Sequence, residues 1–276
     1  MAQVIHPEPA SSQTPQAGAQ VIARHVSRRF TTQTGSVDAC VDVNLTVDPG
    51  QFVVIVGPSG CGKSTFLRMV AGLDSPTDGE LLVTQQDGSP ASNAMVFHGR
   101  TLFPWLTIRD NIAYGLRLSG MSRSGRRNRA EELLDLVGLS RFGDAWPHQL
   151  SEGMRQRVSI ARALAMDPTL LLMDEPFGAL DEQTRFILQE ELLRIWEKSG
   201  KTVLFVTHSI DEALILADKI VIMSAHPGTI REVIDVPFPR PRSLTDVRSD
   251  PQFAELFTTT WTTLRDEVES GGAFRG

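Results

Sequence analysis

The feature that constrains this chain most is a glycine-rich segment that directly follows an apolar run. Residues 51–56 read Gln-Phe-Val-Val-Ile-Val, and residues 57–64 read Gly-Pro-Ser-Gly-Cys-Gly-Lys-Ser. An apolar run without alternation is typical of a strand buried on both faces of a parallel sheet. The glycines and the proline end that strand, and residues 63–72 predict a helix. A strand, a glycine-rich loop and a helix in this order indicate a phosphate-binding P-loop.

The residue types of this loop suit a nucleoside triphosphate. Glycine lets the backbone curl so that successive N–H groups face phosphate oxygens, and the N-terminus of the following helix adds a positive end. Lys63 would reach the β- and γ-phosphates, and the hydroxyl of Ser64 would ligate Mg²⁺, which prefers oxygen. We therefore predict a MgATP site formed by Gly57, Pro58, Ser59, Gly60, Cys61, Gly62, Lys63, Ser64 and Thr65.

The two cysteines, Cys40 and Cys61, form neither a CxxC pair nor a set spaced for zinc. A disulfide framework is therefore not expected, and a reducing, cytoplasmic compartment fits the sequence best. The nearby helix N-terminus should lower the pKa of the Cys61 thiol. We nevertheless expect Cys61 to fill space in the loop rather than to act in catalysis, and to be sensitive to alkylation when the site is empty.

The composition argues against two broad classes of protein. The 276 residues carry a formal net charge of −6, which does not suit a nucleic-acid-binding protein with a basic surface. The longest apolar runs, such as 170–173 and 203–206, are far too short to cross a bilayer. Residues 1–20 are rich in Pro, Ala, Gln and Ser, and they predict a disordered segment rather than a signal peptide. Any work at a membrane would therefore require a partner.

Three further apolar runs predict buried strands, and helical patterns separate them. The predicted strands cover 169–173, 202–207 and 219–223, and the predicted helices cover 183–198 and 211–217. Strands that alternate with helices indicate an α/β domain with a mostly parallel sheet.

Residues 98–151, which precede the strand predicted at 169–173, have a different sequence pattern. Residues 98–151 show no clear buried strand and predict a helical insertion with an amphipathic helix near 130–137, and the chain ends in a predicted helix near 253–268. We divide the chain into a disordered tail (1–20), an ATP-binding core (21–98 and 155–224), a helical subdomain (99–154) and a short C-terminal extension (225–276).

Two of the predicted strands end in side chains suited to phosphate chemistry. The run 170–173 is followed by Asp174 and Glu175, and the run 202–207 by His208. In a parallel sheet, ligands gather at the carboxyl ends of the strands. We expect Asp174 to hold Mg²⁺, Glu175 to polarise the water that attacks the γ-phosphate, and His208 to contact that phosphate. A solvated strand end and a structural histidine are the alternative interpretations.

The order of the motifs resembles that of ABC-type ATPases. After the P-loop come Leu-Ser-Glu-Gly-Met-Arg-Gln-Arg at 150–157, the acidic pair, Gly-Ala-Leu-Asp at 178–181 and the last histidine. The resemblance covers residues 21–223, and residues 103–111 are similar to the ATP-binding subunits of nitrate, sulfonate, taurine and bicarbonate importers. It implies a P-loop NTPase core with a mostly parallel sheet, an N-terminal antiparallel β portion and an inserted α-helical subdomain.

The resemblance also implies roles for individual residues. Phe30 matches the aromatic residue that stacks on adenine. Ser151 and Gly153 would contact the γ-phosphate bound to a second copy, so that two subunits enclose two nucleotides head to tail, and Asp181 would lie at that contact. Residues 96–106 would form part of a groove for a helix of a membrane permease. ATP binding would close the dimer and hydrolysis would reopen it, which drives the permease between two access states.

The implied function is that of the energy-coupling ATPase of an importer, held at the cytoplasmic face of the membrane by permease subunits. Its other partners would be a second ATPase subunit, identical or different, and a periplasmic or extracellular solute-binding protein, with no role for nucleic acid. A soluble ABC-type ATPase outside transport is the alternative. A P-loop kinase would leave residues 150–157 unexplained. The solute stays open among sulfonates, nitrate, bicarbonate and small organic nitrogen compounds.

Two positions depart from the family pattern. Position 98, usually a glutamine that reaches Mg²⁺ and the attacking water, is His98, and position 152, usually glycine, is Glu152. Imidazole is a softer ligand than an amide oxygen, so His98 would either hydrogen-bond the water or weaken the coupling between Mg²⁺ and the permease groove. A carboxylate close to a γ-phosphate would weaken binding, so we expect Glu152 to point away from it.

Overall fold

The computed structural model of the protein describes residues 18–32, 35–97, 99, 101–178 and 180–270. Nine strands lie within these residues: β1 (Gln20–Thr32), β2 (Gly35–Val47), β3 (Phe52–Val56), β4 (Asp78–Thr84), β5 (Asn93–Val96), β6 (Leu170–Asp174), β7 (Thr202–Val206), β8 (Lys219–Met223) and β9 (Ile230–Asp235). Eight α-helices accompany them in the same residues: α1 (Lys63–Val70), α2 (Ile108–Leu118), α3 (Arg123–Leu136), α4 (Glu152–Ala165), α5 (Glu182–Ser199), α6 (Ile210–Leu216), α7 (Leu244–Ser249) and α8 (Pro251–Ser270).

The larger sheet has six strands in the order β5-β6-β7-β3-β8-β9. The first five strands are parallel, and β9 alone pairs antiparallel, with β8. Every residue of β3, β6 and β7 is buried, because helices cover one face and α1 with the antiparallel strands β1, β2 and β4 covers the other. This explains why these strands lack polar alternation. The predicted α/β class and mostly parallel sheet are confirmed. The carboxyl ends of β3, β6 and β7 all lie at one edge.

The smaller sheet is antiparallel, with the order β2-β1-β4. Its apolar residues pack with α1 and with one face of the parallel sheet in a second hydrophobic cluster. The antiparallel β portion that the resemblance implied is therefore present. Residues 18–20, which we predicted to be disordered, are ordered: Ala19 is fully buried and its N–H donates to the carbonyl of Thr169. The remainder of the predicted tail lies outside the described residues.

The helical insertion between β5 and β6 consists of α2, α3 and α4 with two short 3-10 turns. Helix α3 begins earlier than the predicted 130–137 because Ser122 caps it and accepts a hydrogen bond from the N–H of Gly125 (3.2 Å). Helix α4 runs without a break from Glu152 to Ala165, so the predicted subdomain boundary at 154/155 falls inside a helix.

The C-terminal extension is attached to the core by β9 and by a buried arginine. The guanidinium of Arg242 donates to the carbonyls of Ala217 (2.5 Å) and Phe238 (2.9 Å). Burial lowers the pKa of Arg242 to about 10. Within the described part of the chain, no helix is both long and apolar enough to span a membrane.

Candidate functional site at the P-loop

The P-loop lies at the edge of the sheet where β3, β6 and β7 end. Lys63, the first residue of α1, is only 6% exposed, and its Nζ donates to the carbonyls of Gly57 and Pro58 (2.8 Å each). Gly62 has φ +99°, and a Cβ there would lie 2.4 Å from the carbonyl oxygen of Ala39. Only glycine fits that position, because it tolerates both the left-handed backbone and the close approach of β2.

Ser64 and Asp174 bring a hydroxyl and a carboxylate together beside the loop. The Ser64 Oγ donates to the Oδ1 of Asp174 at 2.8 Å, and Asp174 is 8% exposed. Two adjacent oxygen ligands of this kind fit Mg²⁺, which binds oxygen and keeps several waters. The residues present are therefore suited to the metal that the sequence predicted.

Glu175 follows β6 with a backbone conformation that is unusual for a residue with a side chain. Its φ is +47°, and its N–H donates to the carbonyl of Val206 (2.9 Å) on β7. Non-glycine residues in this region are uncommon and tend to lie at functional sites. The Glu175 Oε2 lies 3.5 Å from the Nδ1 of His208, whose side chain is 69% exposed. A carboxylate and an imidazole so placed can accept a proton from water and donate to an anion.

Glu212, a buried carboxylate close to His208, was not among the predicted site residues. Thr207 donates its hydroxyl to Glu212 (2.6 Å) and accepts the N–H of Ser209 (3.1 Å), so both neighbours of His208 are fixed. Burial raises the pKa of Glu212. In the sequence, the signal was a pair of carboxylates, Asp211 and Glu212, at the start of the otherwise apolar stretch 210–217.

A cleft of about 310 Å³, here called the P-loop cleft, opens beside these groups. It is lined by Val37, Ala39, Ser59, Gly60, Gly62, Lys63, Ser64, Thr65, Glu175 and His226. No sequence pattern pointed to Val37, Ala39 or His226. Phe30 pairs with Val37 across β1 and β2, which places both side chains on one face of the sheet, and the guanidinium of Arg28 lies 4.6 Å from the Phe30 ring.

Other predicted site residues are not among the described residues that line this cleft. The Ser151 side chain caps α4 by accepting from the N–H of Met154 (3.3 Å), and Gly153 lies in the first turn of that helix. Asp181 caps α5, and hydrogen bonds from Thr184 lower its pKa. His98 lies outside the described residues.

Glu152 forms an ion pair with Arg155 of its own helix. The Arg155 Nη2 donates to the Glu152 Oε2 at 2.5 Å. An i,i+3 pair of this kind holds the carboxylate along the helix surface. This contact agrees with the expectation that Glu152 turns away from a phosphate at the helix N-terminus.

The expected lowering of the Cys61 pKa is wrong. Cys61 is fully buried, and burial raises the pKa of its thiol more than the neighbouring Lys63 lowers it. Burial dominates because no part of the residue is exposed to water. Cys40 is also fully buried, and burial raises its pKa too.

The expectation that Cys61 is sensitive to alkylation does not fit its complete burial. We now expect both thiols to react slowly with an aromatic disulfide reagent at pH 7, because neither is accessible or ionised. The reaction should be at least about tenfold slower in the native protein than in guanidinium chloride, where two thiols should titrate. The absorbance of the released thiolate measures both rates. Rapid titration of one thiol in the native protein would contradict this picture of Cys61.

Comparisons with known proteins agree with the geometry. The family model described as ABC transporter matches residues 40–178. The chain is 44% identical to the nitrate import ATP-binding protein of Synechocystis sp., over 83% of this chain and 88% of the relative. It is 46% identical to the aliphatic sulfonates import ATP-binding protein of Bacillus cereus, over 81% of this chain and 88% of the relative.

A solved structure shares the fold. It is a dimeric ATP-binding cassette in a post-hydrolysis state bound to ADP and Pi, with a TM-score of 0.73 and 34% identity. The match covers 79% of this chain and all of that one.

Proposed function

The chain belongs to the ABC transporter family and is an ABC-type ATPase, and on this premise we propose that it is the energy-coupling subunit of an importer. The importer moves a small anion or organic solute such as nitrate, a sulfonate, taurine or bicarbonate through a partner permease. The observation that carries the proposal is the meeting of Lys63, Ser64 and Glu175 at one cleft, with Asp174 hydrogen-bonded to Ser64. The chain is also closely similar to named import subunits. The subunit would lie at the cytoplasmic face of the membrane.

Each group in the cleft has a proposed task. Lys63 turns its ammonium from the Gly57 and Pro58 carbonyls to the β- and γ-phosphates, and the backbone of residues 57–65 surrounds them. Ser64 and Asp174 hold Mg²⁺, which when bound neutralises charge on these phosphates.

On the other side of the γ-phosphate, Glu175 accepts the proton of the attacking water, and His208 holds the γ-phosphate beside it. Phe30 stacks on adenine from the same sheet face as Val37.

The site requires a second subunit. Ser151 and Gly153 are at the exposed N-terminal end of α4, where helix N–H groups face outward and favour an anion. In a head-to-tail dimer this end meets the γ-phosphate held by the other subunit, and Asp181 lies at the contact. Each site would then combine the ATP-binding core (21–98 and 155–224) of one subunit with the helical subdomain (99–154) of the other. Residues 225–276 would form an extension.

The permease would bind on the helical subdomain. Phe97, Thr101, Phe103, Tyr114, Gly115, Arg162 and Met166 line an open, largely apolar depression of about 510 Å³. Trp105, beside Phe103, is 68% exposed. Exposed aromatic residues around an apolar depression are typical of a protein-binding surface, and an amphipathic helix of a permease fits it.

We expect Trp105→Ala to weaken binding to the permease at least about tenfold, because truncation of an interface tryptophan commonly has a large effect. The ATPase rate of the isolated subunit should not change, since Trp105 is not among the described residues that line the P-loop cleft. Trp261→Ala is the matched control, because Trp261 is 53% exposed on α8. Retention of the variants by immobilised permease complex measures the effect, and equal retention of both would contradict this docking surface.

Transport is tested by reconstituting the subunit with its permease and solute-binding protein in vesicles. ATP-dependent accumulation of a sulfonate, nitrate or bicarbonate would support the proposal, and the solute that accumulates identifies the substrate. An ATPase that never co-purifies with a permease would favour the alternative, a soluble ABC-type ATPase outside transport.

A further inference from the structure

The loop between β8 and β9, residues 224–229, packs directly against the P-loop. A Cβ on Gly228 would lie 1.8 Å from the carbonyl oxygen of Cys61, so the two backbones touch there. The N–H of Gly228 donates to the carbonyl of Ala39 (3.3 Å), and its carbonyl accepts the N–H of Val41 (2.8 Å). The position of this loop is therefore fixed relative to both the P-loop and β2.

His226 lies on this loop and forms part of the wall of the P-loop cleft. The residue is exposed, so its imidazole is accessible from the cleft. The other polar groups that line the cleft include Lys63, Ser64 and Thr65, to which we have assigned the phosphates. An imidazole beside them can donate a hydrogen bond to the same anionic group.

The same loop is attached to the C-terminal helix. The Oε2 of Glu267, on α8, accepts the N–H of Ala225 (3.2 Å). The Glu267 side chain is only 15% exposed, and its Oε1 lies 3.3 Å from the Nε of Arg231 on β9. The residue next to His226 is thus held by a carboxylate from the last helix of the described chain.

We propose that His226 is a nucleotide-binding residue that donates to the phosphate chain, and that Glu267 of the C-terminal helix holds it in place. The proposal rests on the proposed assignment of the P-loop cleft as the nucleotide site. It gives the extension after residue 224 a role in setting nucleotide affinity. A change in the position of α8 would then alter binding at the P-loop without touching it.

The test is the affinity of the full chain for MgATP and for magnesium tripolyphosphate, measured by calorimetry. We expect His226→Ala to weaken both about fivefold, the size of one lost hydrogen bond. His25→Ala is the matched control, because His25 is an exposed histidine on β1. An unchanged affinity for MgATP, or a loss confined to MgATP and absent for tripolyphosphate, would overturn the phosphate contact.

The link to α8 is tested by Glu267→Ala, with Glu269→Ala on the same helix as the control. Glu267→Ala should weaken MgATP binding about two- to threefold, and the double variant with His226→Ala should bind no more weakly than His226→Ala alone. Independent losses that multiply in the double variant would overturn the positioning role of Glu267. Lys63→Ala distinguishes failure of this inference from failure of the nucleotide site. If Lys63→Ala binds MgATP with wild-type affinity, the nucleotide site itself is rejected. If Lys63→Ala loses affinity and His226→Ala does not, only the role of His226 is rejected.

Discussion

Replacing Glu175 with glutamine is expected to lower the ATPase rate by about 10²- to 10⁴-fold while MgATP binding is retained. The amide has the same shape as the carboxylate but cannot accept the proton of the attacking water. The left-handed backbone at Glu175 and its N–H bond to Val206 do not depend on the side-chain charge, so the geometry should persist. Phosphate release at saturating MgATP measures the rate, and calorimetry measures binding.

Glu190→Gln is the matched control, because it removes a carboxylate from an exposed position on α5. Its ATPase rate should equal that of the wild type. A Glu175→Gln variant that still hydrolyses ATP at the wild-type rate would refute the assignment of Glu175 as the base.

Lys63→Ala is expected to weaken MgATP binding at least about 100-fold and to abolish measurable hydrolysis. Lys63 supplies the one ammonium among the residues described as lining the cleft, and charge-assisted bonds to phosphate are among the strongest polar contacts. Titration of the variant with MgATP, with circular dichroism to verify folding, tests this expectation.

Lys201→Ala is the control for loss of a partly buried lysine. Lys201 also donates to a backbone carbonyl, that of Pro168 (2.9 Å), but it is remote from the P-loop in the sheet. The Lys201→Ala variant should bind MgATP with wild-type affinity. Equal affinity of Lys63→Ala and the wild type would remove the basis for the nucleotide site.

The parallel core could be predicted from the sequence because its strands are buried on both faces. The runs that form β3, β6 and β7 were placed within one residue at each end, since a short, unbroken apolar run between turn residues is typical of a fully buried strand. Strand β9 was missed. Its sequence, Ile-Arg-Glu-Val-Ile-Asp, alternates imperfectly and is largely exposed, and only pairing with β8 makes it a strand.

The candidate site could be predicted where one short segment carries the chemistry. The loop 57–65 and the pair Asp174 and Glu175 are local patterns, and the carboxyl-edge rule brings them together. His226 could not be found in this way, because its place in the cleft depends on contacts of Gly228 with Cys61 and β2. The pKa of Cys61 was mispredicted for a similar reason: burial is a property of the packed fold, whereas helix proximity can be read from the sequence.

The central claim is that each catalytic site combines the P-loop and Glu175 of one copy with Ser151 and Gly153 of another. Mixing two inactive variants tests it most directly. Lys63→Ala lacks a working P-loop, and Gly153→Asp places a carboxylate where the γ-phosphate of the partner copy would bind. If copies pair head to tail, half of the dimers in an equal mixture are mixed and hold one complete site, so ATPase activity should return to about a quarter of the wild-type rate. A mixture that stays as inactive as either variant alone would contradict the composite site.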